Sequence, residues 1–98
     1  MKQLVFSIHD QAAGAYMRPF FVTAVGLVVR EFERLANEKE GNVSRWPDQY
    51  TLFELGTYED STGVLESLEI PKSHGNAVQY LSNEDNNINN VEQIKATG

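Results

Sequence analysis

Three patterns predict a small α+β domain, a four-stranded antiparallel sheet covered on one face by one main helix. Leu4, Phe6 and Ile8 alternate with Val5, Ser7 and His9, the period of two of a half-buried strand. Val25, Val28, Val29, Phe32, Leu35 and Ala36 recur at the three-and-four spacing of one apolar helical stripe. Two β-rich runs, 50–59 and 63–70, flank Asp60-Ser61-Thr62-Gly63, a short turn ending in glycine that signals a hairpin.

The elements follow in order. The first strand ends in a turn over 10–14, and a second extended piece runs over 15–22, with Tyr16, Phe20 and Val22 expected on one face with Arg18. Pro19 has no N–H to donate to a ladder, so this piece is expected to be an edge strand or to carry a bulge. The helix is expected over 24–40, with Thr23 as N-cap and Gly41 as C-cap. Gly26 in its first turn suggests close approach to a strand or to another chain, and Arg30–Glu33 and Glu31–Arg34 are spaced to pair on its outer face. Residues 42–49 read as a loop in which Pro47 holds Trp46 extended. The run 50–59 is partly apolar on both faces, as in a strand central to the sheet or covered on both sides, and Gly56 is expected to mark a bulge or a twist. Pro71 is expected to end the hairpin, and 73–81 to form a short helix with Ala77, Val78 and Leu81 inward. One domain thus spans 1–81. Residues 82–98, with five asparagines and three aliphatic side chains larger than alanine (Ile88, Val91, Ile94), read as a flexible tail.

Composition narrows the function. A chain of 98 residues with 41% hydrophobic content builds one small core and at most one site. Fourteen acidic against eight basic residues give a net charge of -6, so any nucleic-acid role requires a local basic patch rather than bulk charge. Absence of cysteine removes disulfides, thiol nucleophiles and thiolate metal sites. No run approaches the roughly 20 apolar residues that span a bilayer, and no signal-peptide pattern opens the chain, so a soluble, membrane-free protein is expected.

Little in the sequence suggests catalysis, and no cofactor or metal is expected. Ser7, His9 and Asp10 offer a hydroxyl, a base and a carboxylate, but residues two apart on a strand lie about 6 to 7 Å apart, beyond the reach of a nucleophile–base pair. His74 reads as a helix-start residue without a second ligand beside it. Glu54, Glu59, Asp60, Glu66 and Glu69 read as a solvent-facing acidic hairpin that discourages edge pairing rather than as a cation site. What remains is segregation of charge: Arg18, Arg30, Arg34, Lys39 and Arg45 fall between positions 18 and 45, while the hairpin and tail hold most of the acid. Arg45 adjoins Trp46, and Tyr16 lies near Arg18, the pairing of cation and aromatic ring that neutralises phosphates while bases stack.

The run Ala15-Tyr16-Met17-Arg18-Pro19-Phe20-Phe21, the helix after it, and Ser44-Arg45-Trp46-Pro47-Asp48-Gln49-Tyr50-Thr51-Leu52-Phe53-Glu54-Leu55-Gly56 with Tyr58 and Asp60 resemble the small non-structural protein family of gokushoviruses, the Microviridae subgroup of single-stranded DNA phages. Val5-Phe6-Ser7-Ile8 and the stretch from Pro71-Lys72-Ser73 to Gly75 also fit, so the similarity covers residues 4–81. The Asn-rich tail is an addition, and Trp46 stands where a smaller or imidazole side chain is expected. The resemblance implies a protein of the infected bacterial cytoplasm, absent from the virion, that binds single-stranded viral DNA during genome replication or packaging. It carries over no catalytic residues, so a non-enzymatic role is expected. Read with the resemblance, Arg18, Arg30, Arg34, Lys39, Arg45, Trp46 and Tyr16 are the candidate DNA-binding residues. The alternative is a protein-interaction module that regulates phage replication or capsid proteins without touching DNA. With one helix available, the second sheet face is expected to keep Tyr16, Phe20 or Phe53 near water, and self-association into a homo-oligomer covers it.

Overall fold

The computed structural model describes residues 1–82. The tail expected over 82–98, with its three aliphatic side chains, lies from residue 83 onward outside the described residues. Strands β1 (Lys2–Asp10), β2 (Ala15–Tyr16), β3 (Phe20–Val22), β4 (Tyr50–Glu59) and β5 (Val64–Asn76) form one antiparallel sheet with helix α1 (Val25–Ala36) on one face. A short helix α2 (Asn42–Arg45) and two 3-10 turns, Pro47–Gln49 and Ala77–Tyr80, complete the described chain. The order across the sheet is β2, β1, β4, β5, and β3 continues the β2 edge by pairing with β1. Four rows of strand therefore stand side by side, as expected, although five strands build them.

The extra strand arises at Pro19. Residues 17–19 leave the ladder, so the expected piece over 15–22 splits into β2 and β3 along one edge of β1. This break corrects the expected facing. Tyr16 pairs with His9, whereas Phe20 pairs with Phe6 and Val22 with Leu4, which puts Tyr16 on the opposite face from Phe20 and Val22.

The core lies between the sheet and α1. Phe6, Ile8 and Leu52 meet Val28, Phe32 and Ala36, with Val43, Tyr50 and Ala77 closing the end. Of the predicted stripe, Val25 is exposed, because it opens the helix beyond the reach of the sheet. The N-cap is Ala24 rather than Thr23 and contributes no side-chain hydrogen bond. The helix ends at Asn37 instead of near Gly41, which instead precedes α2 within the stretch read as loop. Asn37 terminates it by tertiary commitment: its Nδ2 donates to the Tyr80 carbonyl at 2.9 Å, and its Oδ1 accepts from the Ser82 N–H at 2.6 Å. Gly26 has open space where a Cβ would stand, so no strand approaches it.

The strand β4 is central, between β1 and β5, as its two apolar faces predict. The hairpin turn closes with the Gly63 N–H donating to the Glu59 carbonyl at 2.7 Å, and Gly63 takes a φ of 78° that an L side chain resists. Pro71 does not end β5. Between the pairs Gly56–Ser67 and Glu54–Lys72, β5 carries residues 68–71 against Leu55 alone, so Pro71 sits in an irregular edge where no ladder N–H is required. The expected helix over 73–81 shrinks to the turn Ala77–Tyr80, of which Ala77 is buried while Val78 and Leu81 are exposed; Tyr80 packs inward in their place.

Register sorts the strand side chains by charge. Antiparallel partners share a face, so Lys2 with Glu59, Thr57 with Glu66, Glu54 with Lys72, and Asp10 with Tyr50 all lie on the α1 side. The opposite face holds Val5, Ser7 and His9 of β1 with their partners Phe21, Tyr16, Thr51 and Phe53. Toward the hairpin end it continues through Tyr58 with Leu65, and Gly56 with Ser67. Every charged residue in register on the strands is on the helix side.

Candidate functional site

The candidate DNA-binding residues divide into one group on α1 and the segment after it, one edge position, and one residue on the far sheet face. Arg30 and Arg34 stand on the outer side of α1, Lys39 follows in the turn after it, and Arg45 and Trp46 end α2. Arg18 projects from the break between β2 and β3 and lines, with Glu31 of α1, the mouth of an apolar cavity of about 510 Å³ floored by Phe20, Phe32 and Leu35. Tyr16 lies apart from these, on the sheet face away from the helix. Its ring meets His9 at 4.7 Å and Phe53 at 5.6 Å between centroids, both edge-on. Beside them, Phe21 meets Tyr58 at 5.3 Å, so this face carries two aromatic clusters.

Within the helix group the guanidinium of Arg34 is already occupied. Its Nη2 donates to Glu31 Oε2 at 2.6 Å and its Nη1 to Glu38 Oε2 at 2.9 Å, spacings slightly under and slightly over one helical turn. Hydrogen bonds from Arg34 hold the Glu31 carboxyl below its ordinary value, and the same two carboxylates raise Arg34 in return. The expected Glu31–Arg34 pair thus forms, and Glu38 joins it, while Arg30 and Glu33 do not bridge among the described residues. Arg18, Arg30, Lys39 and Arg45 make no ion pair among the described residues. Trp46 is 58% exposed directly after Arg45, because α2 stops there and Pro47 turns the chain away into its 3-10 turn.

The other sequence constellations are engaged internally. Ser7 is fully buried and its Oγ donates to the Met17 carbonyl at 2.6 Å, which pins the break after β2 and separates the hydroxyl from His9. His74 belongs to β5 rather than to a helix start: its Nε2 lies 2.9 Å from Glu54 Oε1, and its ring meets Phe6 at 5.2 Å. Glu59 and Asp60 are drawn to the Met1 ammonium, which brings the Glu59 carboxyl down to about 2 through its hydrogen bonds. Among the described residues no group of three or more His, Asp or Glu side chains is arranged to hold a metal ion. No helix there is long and apolar enough to cross a membrane.

Sequence reasoning missed the His74–Glu54 pair and the charge sorting of the two faces. Both depend on the register of β5, in which four residues stand opposite Leu55 alone, an excess of three that the sequence does not announce.

Residues 3–80 match the family model described as Phage ORF5 protein. No curated protein and no solved structure matches the chain.

Proposed function

The chain belongs to the Phage ORF5 family and is a phage protein, and from that premise we propose that it is a gokushovirus-type non-structural accessory factor that binds single-stranded DNA without catalysing a reaction. Such a factor acts on the viral genome in the cytoplasm of the infected bacterium, during replication or packaging. The observation that carries the reading is the exposed indole of Trp46 directly after Arg45, whose guanidinium is free of acidic partners among the described residues. Stacking of one base on an aromatic ring contributes about 1–3 kcal/mol, and adjacent cations neutralise the phosphates of the same strand. Arg30, Lys39 and Arg18 extend the positive charge along α1 and its flanks, whereas Arg34 contributes little because Glu31 and Glu38 already balance it.

The chain has one tryptophan, so its fluorescence reports on this surface alone. Titration with a single-stranded oligonucleotide of about 30 bases is expected to quench Trp46 with micromolar affinity, and Arg45→Ala to weaken binding about tenfold. Unchanged emission together with no binding by anisotropy removes the proposal. The second reading, a module that contacts replication or capsid proteins without DNA, is favoured by the uncharged aromatic sheet face and gains the ground that result would leave.

A further inference from the structure

We propose that the sheet face opposite α1 is the contact surface of a symmetric homodimer, packed sheet against sheet on a second copy of this chain. His9, Phe53 and Tyr58, each half-buried, form its centre above the buried Val5 and Ser7, and Tyr16 and Phe21, each 45% exposed, form its edge. No helix among the described elements covers this face, since α1 and the Ala77–Tyr80 turn both pack on the other side.

Charge selects the occupant. With a net charge of -6, two copies repel over most of their surface. Along the paired stretches this face is the exception, because register sends Lys2, Asp10, Glu54, Glu59, Glu66 and Lys72 to the helix side and leaves only Glu69, in the run 68–71 outside the register at the β5 edge. A two-fold contact sets the same patch against itself, so an uncharged patch meets no like charge there. Such a face is a poor match for nucleic acid, which requires cations along its phosphates. It matches the centre of a protein interface, where charge is depleted and Tyr and Phe are enriched.

Area agrees. The ten residues of β4 run about 33 Å and four strand rows span about 19 Å, giving roughly 600 Å² per copy. Both copies together bury about 1,200 Å², the lower bound for specific, stable interfaces. The edge offers no competing route: residues 68–71 and Pro71 interrupt β5, which discourages strand-to-strand addition there. The inference does not depend on DNA binding.

Sedimentation of the full chain tests it. Between about 5 and about 200 µM the mass is expected to rise from the 11.0 kDa of one chain toward twice that value. Tyr16→Glu and Phe21→Glu, at exposed positions, are each expected to weaken dimerisation at least about tenfold by placing a charge opposite its own copy, with circular dichroism unchanged. Leu27→Glu, 51% exposed on α1, serves as the control and is expected to leave the dimer intact. A monomer at all concentrations overturns the proposal, as does a dimer indifferent to both face variants or equally sensitive to Leu27→Glu. A monomer whose tyrosine emission is quenched by single-stranded DNA assigns the face to nucleic acid and overturns it too.

Discussion

Gly56 and Gly26 both sit inside regular elements, and alanine is expected to act on them with opposite signs. A Cβ on Gly56 would collide with the Glu66 carbonyl oxygen and lie 2.8 Å from Ser67 Cα, both backbone atoms of β5 that no rotamer change can move aside. Gly56→Ala therefore forces β4 and β5 apart at the bulge and is expected to cost about 1–3 kcal/mol, read as a lower urea midpoint at unchanged slope. Gly26 meets nothing within 4 Å, so Gly26→Ala stabilises by up to about 1 kcal/mol through helix propensity alone. The bulge at Gly56 was legible, since glycine inside a β-rich run signals one. The role of Gly26 was not, because propensity marks a helical glycine as costly without showing whether anything stands opposite it. Arg34 marks a limit for the site: its three- and four-residue spacing from Glu31 and Glu38 allows the bridges that form, but Arg30 and Glu33 share the three-residue spacing without bridging, so spacing alone does not decide which arginine is balanced in place.

The elements were legible where their signal is local and obscure where a distant contact decides. The stripe from Val28 to Ala36 reports burial against the sheet, and the alternation in β1 picks out Phe6 and Ile8 as the residues facing α1, but Val5 and Ser7 on the other face are buried as well, which half-buried alternation does not indicate. The end of α1 has no such local signal, because Glu38 to Glu40 carry adequate helix formers, and the Asn37 side chain bonds beyond the helix to Tyr80 and Ser82 as well as back to the Glu33 carbonyl. Likewise Pro71 reads as a stop until β5 is known to be an edge strand with surplus residues opposite Leu55. Asn37 thus holds together two elements, α1 and the Ala77–Tyr80 turn, between which Phe32 and Tyr80 also meet edge-on at 5.2 Å. Asn37→Ala leaves the Tyr80 carbonyl and the Ser82 N–H to seek other partners and is expected to cost about 1–3 kcal/mol. Hydrogen exchange locates the effect: amides of 77–82 are expected to lose protection, while those of β1 and β4 follow only the global stability. Uniform loss across the sheet would show instead that the turn is integral to the core.

At the level of the whole molecule, the arrangement separates two kinds of surface that respond to salt in opposite ways. Four cations that make no ion pair among the described residues, Arg18, Arg30, Lys39 and Arg45, lie on α1 and the segments beside it, interspersed with Glu33 and Glu40, whereas the far side of the sheet has no charge in register. If these four cations each neutralise one phosphate of a single strand, the slope of log affinity against log salt is about -3, because single strands release roughly 0.7 counterion per contact. Raising salt from about 50 to about 200 mM then lowers DNA affinity about 50-fold. The dimer responds in the other direction, since its contact is apolar and the remaining repulsion between two chains of net charge -6 is screened by the same ions. Anisotropy and sedimentation on one salt series are therefore expected to show DNA released while the dimer is retained or strengthened. A dimer that dissociates together with DNA release would place the subunit contact among the cations of α1 rather than on the aromatic face. The two surfaces would then be one, which the register of Lys2, Glu54, Glu66 and Lys72 argues against by keeping the charge of the paired strand residues on the helix side.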